Sequence, residues 1–134
     1  MGIQTKNLIF KNDTLYDGYV SESKAICRFK NGVLYRGTMT SLSNAVALVK
    51  DGKIYEGNFA TSSRQKGFVK NGMVYRGTVA SSSTVVLTEK NGELFEGSRV
   101  QNSSKIDRVK GTELLDLSCV AAMIHFFVCP IFTR

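Results

Sequence analysis

At 134 residues the chain has room for one domain with a core, and a domain of that size buries only about two thirds of its unfolded surface. A formal net charge of +7 and a pI near 9.5 favour acidic partners and carry no information about fold. Cys27, Cys119 and Cys129 form an odd set without CxxC or ligand spacing, which argues against a disulfide framework or a zinc site and for a reducing compartment.

The N-terminal MGIQTK lacks the basic-then-apolar order of a secretory signal, so a cytoplasmic location is expected. Gly2 does not complete a myristoylation motif, because Lys6 stands where Ser or Thr is needed.

From residue 11 onward the chain repeats itself as KNDTLYDG, KNGVLYRG, KDGKIYEG, KNGMVYRG and KNGELFEG. Lys11, Lys30, Lys50, Lys70, Lys90 and Lys110 are spaced by 19 residues once and then by 20 four times. Each of the first five is followed by an aromatic and, two residues later, a glycine: Tyr16 and Gly18, Tyr35 and Gly37, Tyr55 and Gly57, Tyr75 and Gly77, Phe95 and Gly97. The repeats run over 8–26, 27–46, 47–66, 67–86 and 87–106, inside a region spanning 1–111. A sixth unit, KGTELLDL, departs from the pattern.

The residue after the aromatic alternates as Arg36, Glu56, Arg76 and Glu96. Two readings are open: duplication of a two-hairpin unit, or selection for opposite charges on neighbouring strands, each such pair worth about 0.2–1 kcal/mol.

Asn-Gly and Asp-Gly supply the two positive φ angles of a type I′ turn, so each copy predicts a hairpin tip. With Asp51 and Gly52 as the loop, Lys50 faces Lys53, Val49 faces Ile54, Leu48 faces Tyr55, Ala47 faces Glu56 and Val46 faces Gly57. Alternation then puts Val46, Leu48, Tyr55, Gly57 and Phe59 on one face and Ala47, Val49, Ile54 and Glu56 on the other. The fixed Tyr-x-Gly is expected to lay a ring over bare glycine backbone. Ser/Thr/Asn stretches such as TMTSLSNA and TVASSSTV form the opposite turns. The predicted fold is an all-β antiparallel meander of five hairpins, about ten strands, with a closed barrel or sandwich as the alternative.

The stretch GKIYEGNF at Gly52 to Phe59 resembles the core of a MORN repeat, and YRGTM and YRGTV fit it more loosely. The likeness covers residues 8 to 106. The MORN period is longer, and its further glycines are replaced here by Ser/Thr-rich loops. The resemblance implies an elongated, single-layered twisted sheet used in scaffolding, dimerisation or contact with protein partners and sometimes lipids.

Residues 112–134 change character. Thr112 is placed to cap a helix with Glu113 and Asp116 near its positive end, and Pro130 to stop it, about 17 residues in all. Leu114, Leu115, Leu117, Val120, Ala121, Met123, Ile124, Phe126, Phe127 and Val128 leave almost no polar face, so the helix must be buried. Packing on the sheet is favoured over an oligomer contact. A tail anchor is the least favoured, because Asp116, His125 and Pro130 interrupt a run already short for spanning.

No singular constellation for catalysis is visible. His125 stands alone in the apolar tail, the cysteines lack a neighbouring base, and Glu56 and Glu96 belong to the repeat. The expected function is non-catalytic, without cofactor or metal: a structural or scaffold repeat protein that contacts a protein partner or itself. The six lysines form a candidate basic ridge, and an anionic membrane surface or acidic partner is the alternative. A nucleic-acid partner is not expected, since the aromatics are tied to the glycines.

Overall fold

The computed structural model describes residues 3, 5–113 and 115–132; Gly2 and Leu114 lie outside them. Among the described residues the chain forms one open antiparallel sheet of eleven strands, each paired with its sequence neighbours, followed by one α-helix. The strands are β1 (Leu8–Lys11), β2 (Thr14–Asp17), β3 (Ala25–Lys30), β4 (Val33–Arg36), β5 (Ala45–Lys50), β6 (Lys53–Glu56), β7 (Gln65–Lys70), β8 (Met73–Arg76), β9 (Val85–Lys90), β10 (Glu93–Glu96) and β11 (Lys105–Ile106). The helix α1 is Leu117–Phe127.

The hairpins take the register that the turn chemistry predicts. Ala47 pairs with Glu56, Leu48 with Tyr55, Val49 with Ile54 and Lys50 with Lys53. The tips are left-handed at both central residues, with Asn31 at φ 52 and Gly32 at φ 80, and Asp51 at φ 52 and Gly52 at φ 77.

The join between successive hairpins follows a different rule, invisible in the turn code. Register slips by one residue between Leu15 and Tyr16, Leu34 and Tyr35, Ile54 and Tyr55, and Val74 and Tyr75. Each slip is a β-bulge, which bends the strand and increases its twist. Repeated at four of the five joins, all but that of β10 with β11, the bulges bend the meander in one sense.

Here the expected role of the repeat glycines needs correction. No ring lies over them: a Cβ added at Gly18, Gly37, Gly77 or Gly97 would meet nothing within 4 Å, and one at Gly57 would meet only the Arg64 guanidinium. Instead all five have φ between 72 and 94°. Their amide N–H groups close the open ends of their own hairpins, as in Gly37 N to Ile26 O at 2.8 Å and Gly57 N to Val46 O at 2.7 Å. The glycine lets the backbone leave the ladder in a left-handed turn while still donating its last bond. Phe59 likewise leaves the sheet face that alternation gave it, and stands 59% exposed in a loop.

Side chains on one face of the sheet converge on α1. Leu15, Leu34, Ile54, Val74 and Leu94 are fully buried in one cluster with Val120, Ala121, Ala122 and Ile124. Three residues before the successive lysines stand Leu8, Cys27, Ala47, Gly67 and Leu87. The small ones fall in β3, β5 and β7, and α1 packs on β5 to β8. Small side chains let the helix approach where leucine would hold it off. The polypeptide beyond α1 completes the packing, with Ile131 and Phe132 buried.

The tail is therefore a core element of its own sheet. Its helix differs from expectation in length and start. It covers 11 residues, with Asp116 at its N-cap and no side-chain capping bond. Thr112 closes a turn instead, its hydroxyl bonded to the Val109 carbonyl at 2.6 Å. No helix among the described residues is long and apolar enough to cross a membrane.

The sheet stays open in that β1 and β11 do not form a ladder, but its ends are adjacent. Ile9 and Lys110 form an isolated parallel bridge, with Phe10 N donating to Lys110 O at 2.7 Å. That bond repeats the link between neighbouring tips, where Val49 N meets Gly32 O and Val69 N meets Gly52 O. A sheet whose first strand touches the segment after its last must wrap around, so the extended ribbon implied by MORN repeats is not the shape taken here. The wrapping leaves two rims: tips with lysines at one, Ser/Thr-rich loops at the other.

Candidate interaction surface

Lys11, Lys30, Lys50, Lys70, Lys90 and Lys110 are all exposed, the first five one beside each hairpin tip and Lys110 in the segment after β11. They stand on the sheet face opposite Phe29, Val49 and Val69, which pack against the core. Each therefore points away from the wrapped interior, and the six do not converge on a common point. Lys90 pairs across its hairpin with Glu93, and Lys50 with Lys53. The repeat aromatics line the same outer face. Tyr55 and Phe95 are buried there, Tyr16, Tyr35 and Tyr75 half-buried, and the Tyr75 ring stacks on Phe68 at 5.1 Å. They serve the hairpins as cross-strand packing.

The opposite rim has an order of its own. Eleven residues before each of the last five lysines stand Tyr19, Met39, Phe59, Val79 and Arg99. All five are exposed, the apolar four by 59 to 65%. Five residues later in each loop stands a residue that holds the first in place. Asn44 donates to Met39 O at 3.4 Å, Thr84 to Val79 O at 2.6 Å and Ser104 to Arg99 O at 2.7 Å. Where a cation occupies that place it covers the ring, Lys24 at 5.5 Å from the centre of Tyr19 and Arg64 at 5.7 Å from Phe59, within cation–π range.

Each loop is closed beneath by a short turn. Lys24 N bonds to Ser21 O, Asn44 N to Ser41 O, Arg64 N to Thr61 O, Thr84 N to Ser81 O and Ser104 N to Gln101 O. Paired hydroxyls at Ser41 and Ser43, 3.2 Å apart, and at Ser81 and Ser83, 2.9 Å apart, explain why these loops are rich in serine. Leu42 adds a further exposed apolar side chain, 74% accessible. Sequence reasoning read these stretches as plain polar turns. Counting back from the following lysine, rather than forward from the glycine, brings the five positions into line.

The remaining chemistry-bearing groups are structural in placement. His125 is half-buried, and its Nδ1 accepts from the amides of Ile131 at 3.0 Å and Phe132 at 3.2 Å. Burial and the nearby Lys66 ammonium lower its pKa to about 4, against a smaller opposing pull from Glu56. Lys66 and Glu56 form an ion pair at 3.1 Å across neighbouring hairpins, so this glutamate of the alternating series meets a cation from outside the series. Arg36 instead lies over Phe127 at 5.5 Å. Burial pushes the Cys27 thiol up to about 12, against a smaller downward pull from Arg36. Burial, with Asp116 adding to it, raises Cys119 to about 11. Neither is a thiolate at neutral pH. Arg108, Glu89 and the Thr112 carbonyl form a linked group near the tips.

Among the described residues no cluster of His, Cys, Asp and Glu has the arrangement of a metal site. A cleft of about 320 Å³ opens between Arg76, Ser83, Val85, Val86, Glu96 and Gly97 on the loop side.

Comparison with known proteins gives one family. Residues 4–115 match the model of the 6-fold beta flower proteins. No curated protein and no solved structure matches.

Proposed function

We propose, for a chain that belongs to the 6-fold beta flower protein family, that it is a non-catalytic binding module whose contact surface is the loop rim. One observation carries this reading: a residue in every loop is spent on holding an exposed side chain outward, four of the five apolar. Exposed apolar residues that recur at one place in four successive loops, each held by a repeated device, point to a surface meant to be covered. The MORN likeness points the same way, since those repeats are contact modules.

Self-assembly through the tail is not supported, because α1 is consumed by its own core. The lysine rim remains the second reading. Its six exposed cations favour it, and their outward spread on separate tips disfavours a shared binding point.

A photo-crosslinking residue at position 59, and separately at position 50, in cells expressing the full chain tests the two rims. Adducts at 59 and few at 50 are the expected outcome. Adducts at 50 alone transfer the function to the lysines, and adducts at neither remove the binding-module reading.

A further inference from the structure

The rim has properties that choose among partners. Met39, Phe59 and Val79 stand in successive loops of one sheet edge, two strands apart and so separated by roughly 9.5 Å. Hydroxyl-rich turns share the loops with them. At that interval the side chains project separately, whereas the binding energy of a protein interface concentrates in a packed, fully desolvated centre. A bilayer needs no such centre. Separate projections on one rim can each enter its interfacial layer, whatever lies between them.

The residue types agree. Tyr19, Phe59, Met39, Leu42 and Val79 are apolar or amphipathic side chains suited to the boundary between headgroups and acyl chains. Lys24 and Arg64 are held directly over the two exposed aromatic rings, and Arg99 takes the fifth clamped position. Across the five loops, 18–24, 37–44, 57–64, 77–84 and 97–104, the cations Lys24, Arg64 and Arg99 face a single acid, Glu22. A cation level with an inserted ring meets phosphate and carboxylate headgroups as the ring meets the chains beneath them. Serine and threonine hydroxyls between the projections can hydrogen-bond the same headgroups.

We infer that the loop rim docks on an anionic lipid bilayer, inserting Tyr19, Met39, Phe59 and Val79 to interfacial depth while Lys24, Arg64 and Arg99 contact the headgroups. The inference rests on the rim being the contact surface and names what it contacts. In that orientation the lysine rim faces away from the membrane.

The test uses the full chain and vesicles of phosphatidylcholine with and without phosphatidylserine, read by co-sedimentation and by the tryptophan emission of the Phe59→Trp variant. The expected results are binding that requires phosphatidylserine and a blue shift of that emission on binding. The triple variant Met39→Ser, Phe59→Ser, Val79→Ser should bind at least roughly tenfold more weakly with its melting temperature kept. Arg64→Gln should weaken binding by about fivefold, and Lys30→Gln, Lys50→Gln, Lys70→Gln should change it little.

Three results overturn the inference: no vesicle binding, binding lost in the lysine variant but kept in the rim variant, or binding without a blue shift. If vesicles fail while position 59 crosslinks a protein or a second copy, the rim keeps its role and lipid is the wrong partner. If vesicles fail and position 59 crosslinks nothing, the rim itself is not the contact surface.

Discussion

The ring of Phe132 lies against the backbone of Gly67, so close that a Cβ at that position would collide with it and sit 2.6 Å from the Tyr75 carbonyl oxygen. Among the described glycines Gly67 alone has ordinary strand geometry, without positive φ. It is glycine for want of space. Gly67→Ala is therefore expected to destabilise by about 1–3 kcal/mol as an overpacking change, although alanine has no conformational handicap in a strand. Combining it with Phe132→Leu should restore part of the loss. Chemical denaturation of the single and double variants checks this, and an unchanged midpoint in Gly67→Ala would refute the contact.

Gly77 is the opposite case, with free space around it and φ at 77°. Gly77→Ala should cost about 1–2 kcal/mol from left-handed strain. Gly77→Asn should cost clearly less, because asparagine tolerates that region. Were packing the reason for the glycine, the larger asparagine would be the worse replacement. Thermal melts of the two variants separate the accounts.

The buried helix sets a third expectation. Ile124 is fully buried among strand residues, so Ile124→Ala should lower stability by about 2–5 kcal/mol. Removing residues 112–134 should unfold the hairpin region, because Leu34, Ile54 and Val74 would lose the surface they pack on. A truncated chain with native amide dispersion would show that the sheet stands alone.

Stability should also fall with acid through His125. Its folded pKa of about 4 lies below the ordinary 6.5, so the unfolded chain binds the extra proton first. The contribution is present above about pH 6.5 and disappears as pH drops toward 4. For a half-exposed imidazole, screening reduces the effect to about 1–2 kcal/mol. Denaturation midpoints at pH 7 and pH 4.5 should differ accordingly, and His125→Asn, which keeps an acceptor for the Ile131 and Phe132 amides, should flatten that difference. An equal slope in the variant would place the acid sensitivity elsewhere.

What is local was legible in the residues alone. Asn-Gly and Asp-Gly impose their turn on the residues either side of them, so hairpin register, strand alternation and the order of the meander followed from residues a few places apart, down to the pairing of Val49 with Ile54. The sequence also marked the tail as buried, because Val120 to Ile124 offers no polar side. The rest depends on residues far apart in the chain. The bulges after Leu34 and Ile54 carry no turn code of their own, yet they curve the sheet until Phe10 reaches Lys110. That curvature creates an interior, which α1 fills, and it explains why Cys27, Ala47 and Gly67 are small. It likewise turns five similar loops into one rim. The clamp of Arg64 on Phe59 is local enough to be written in the sequence, but its meaning as a surface exists only once the sheet has wrapped and set the loops side by side.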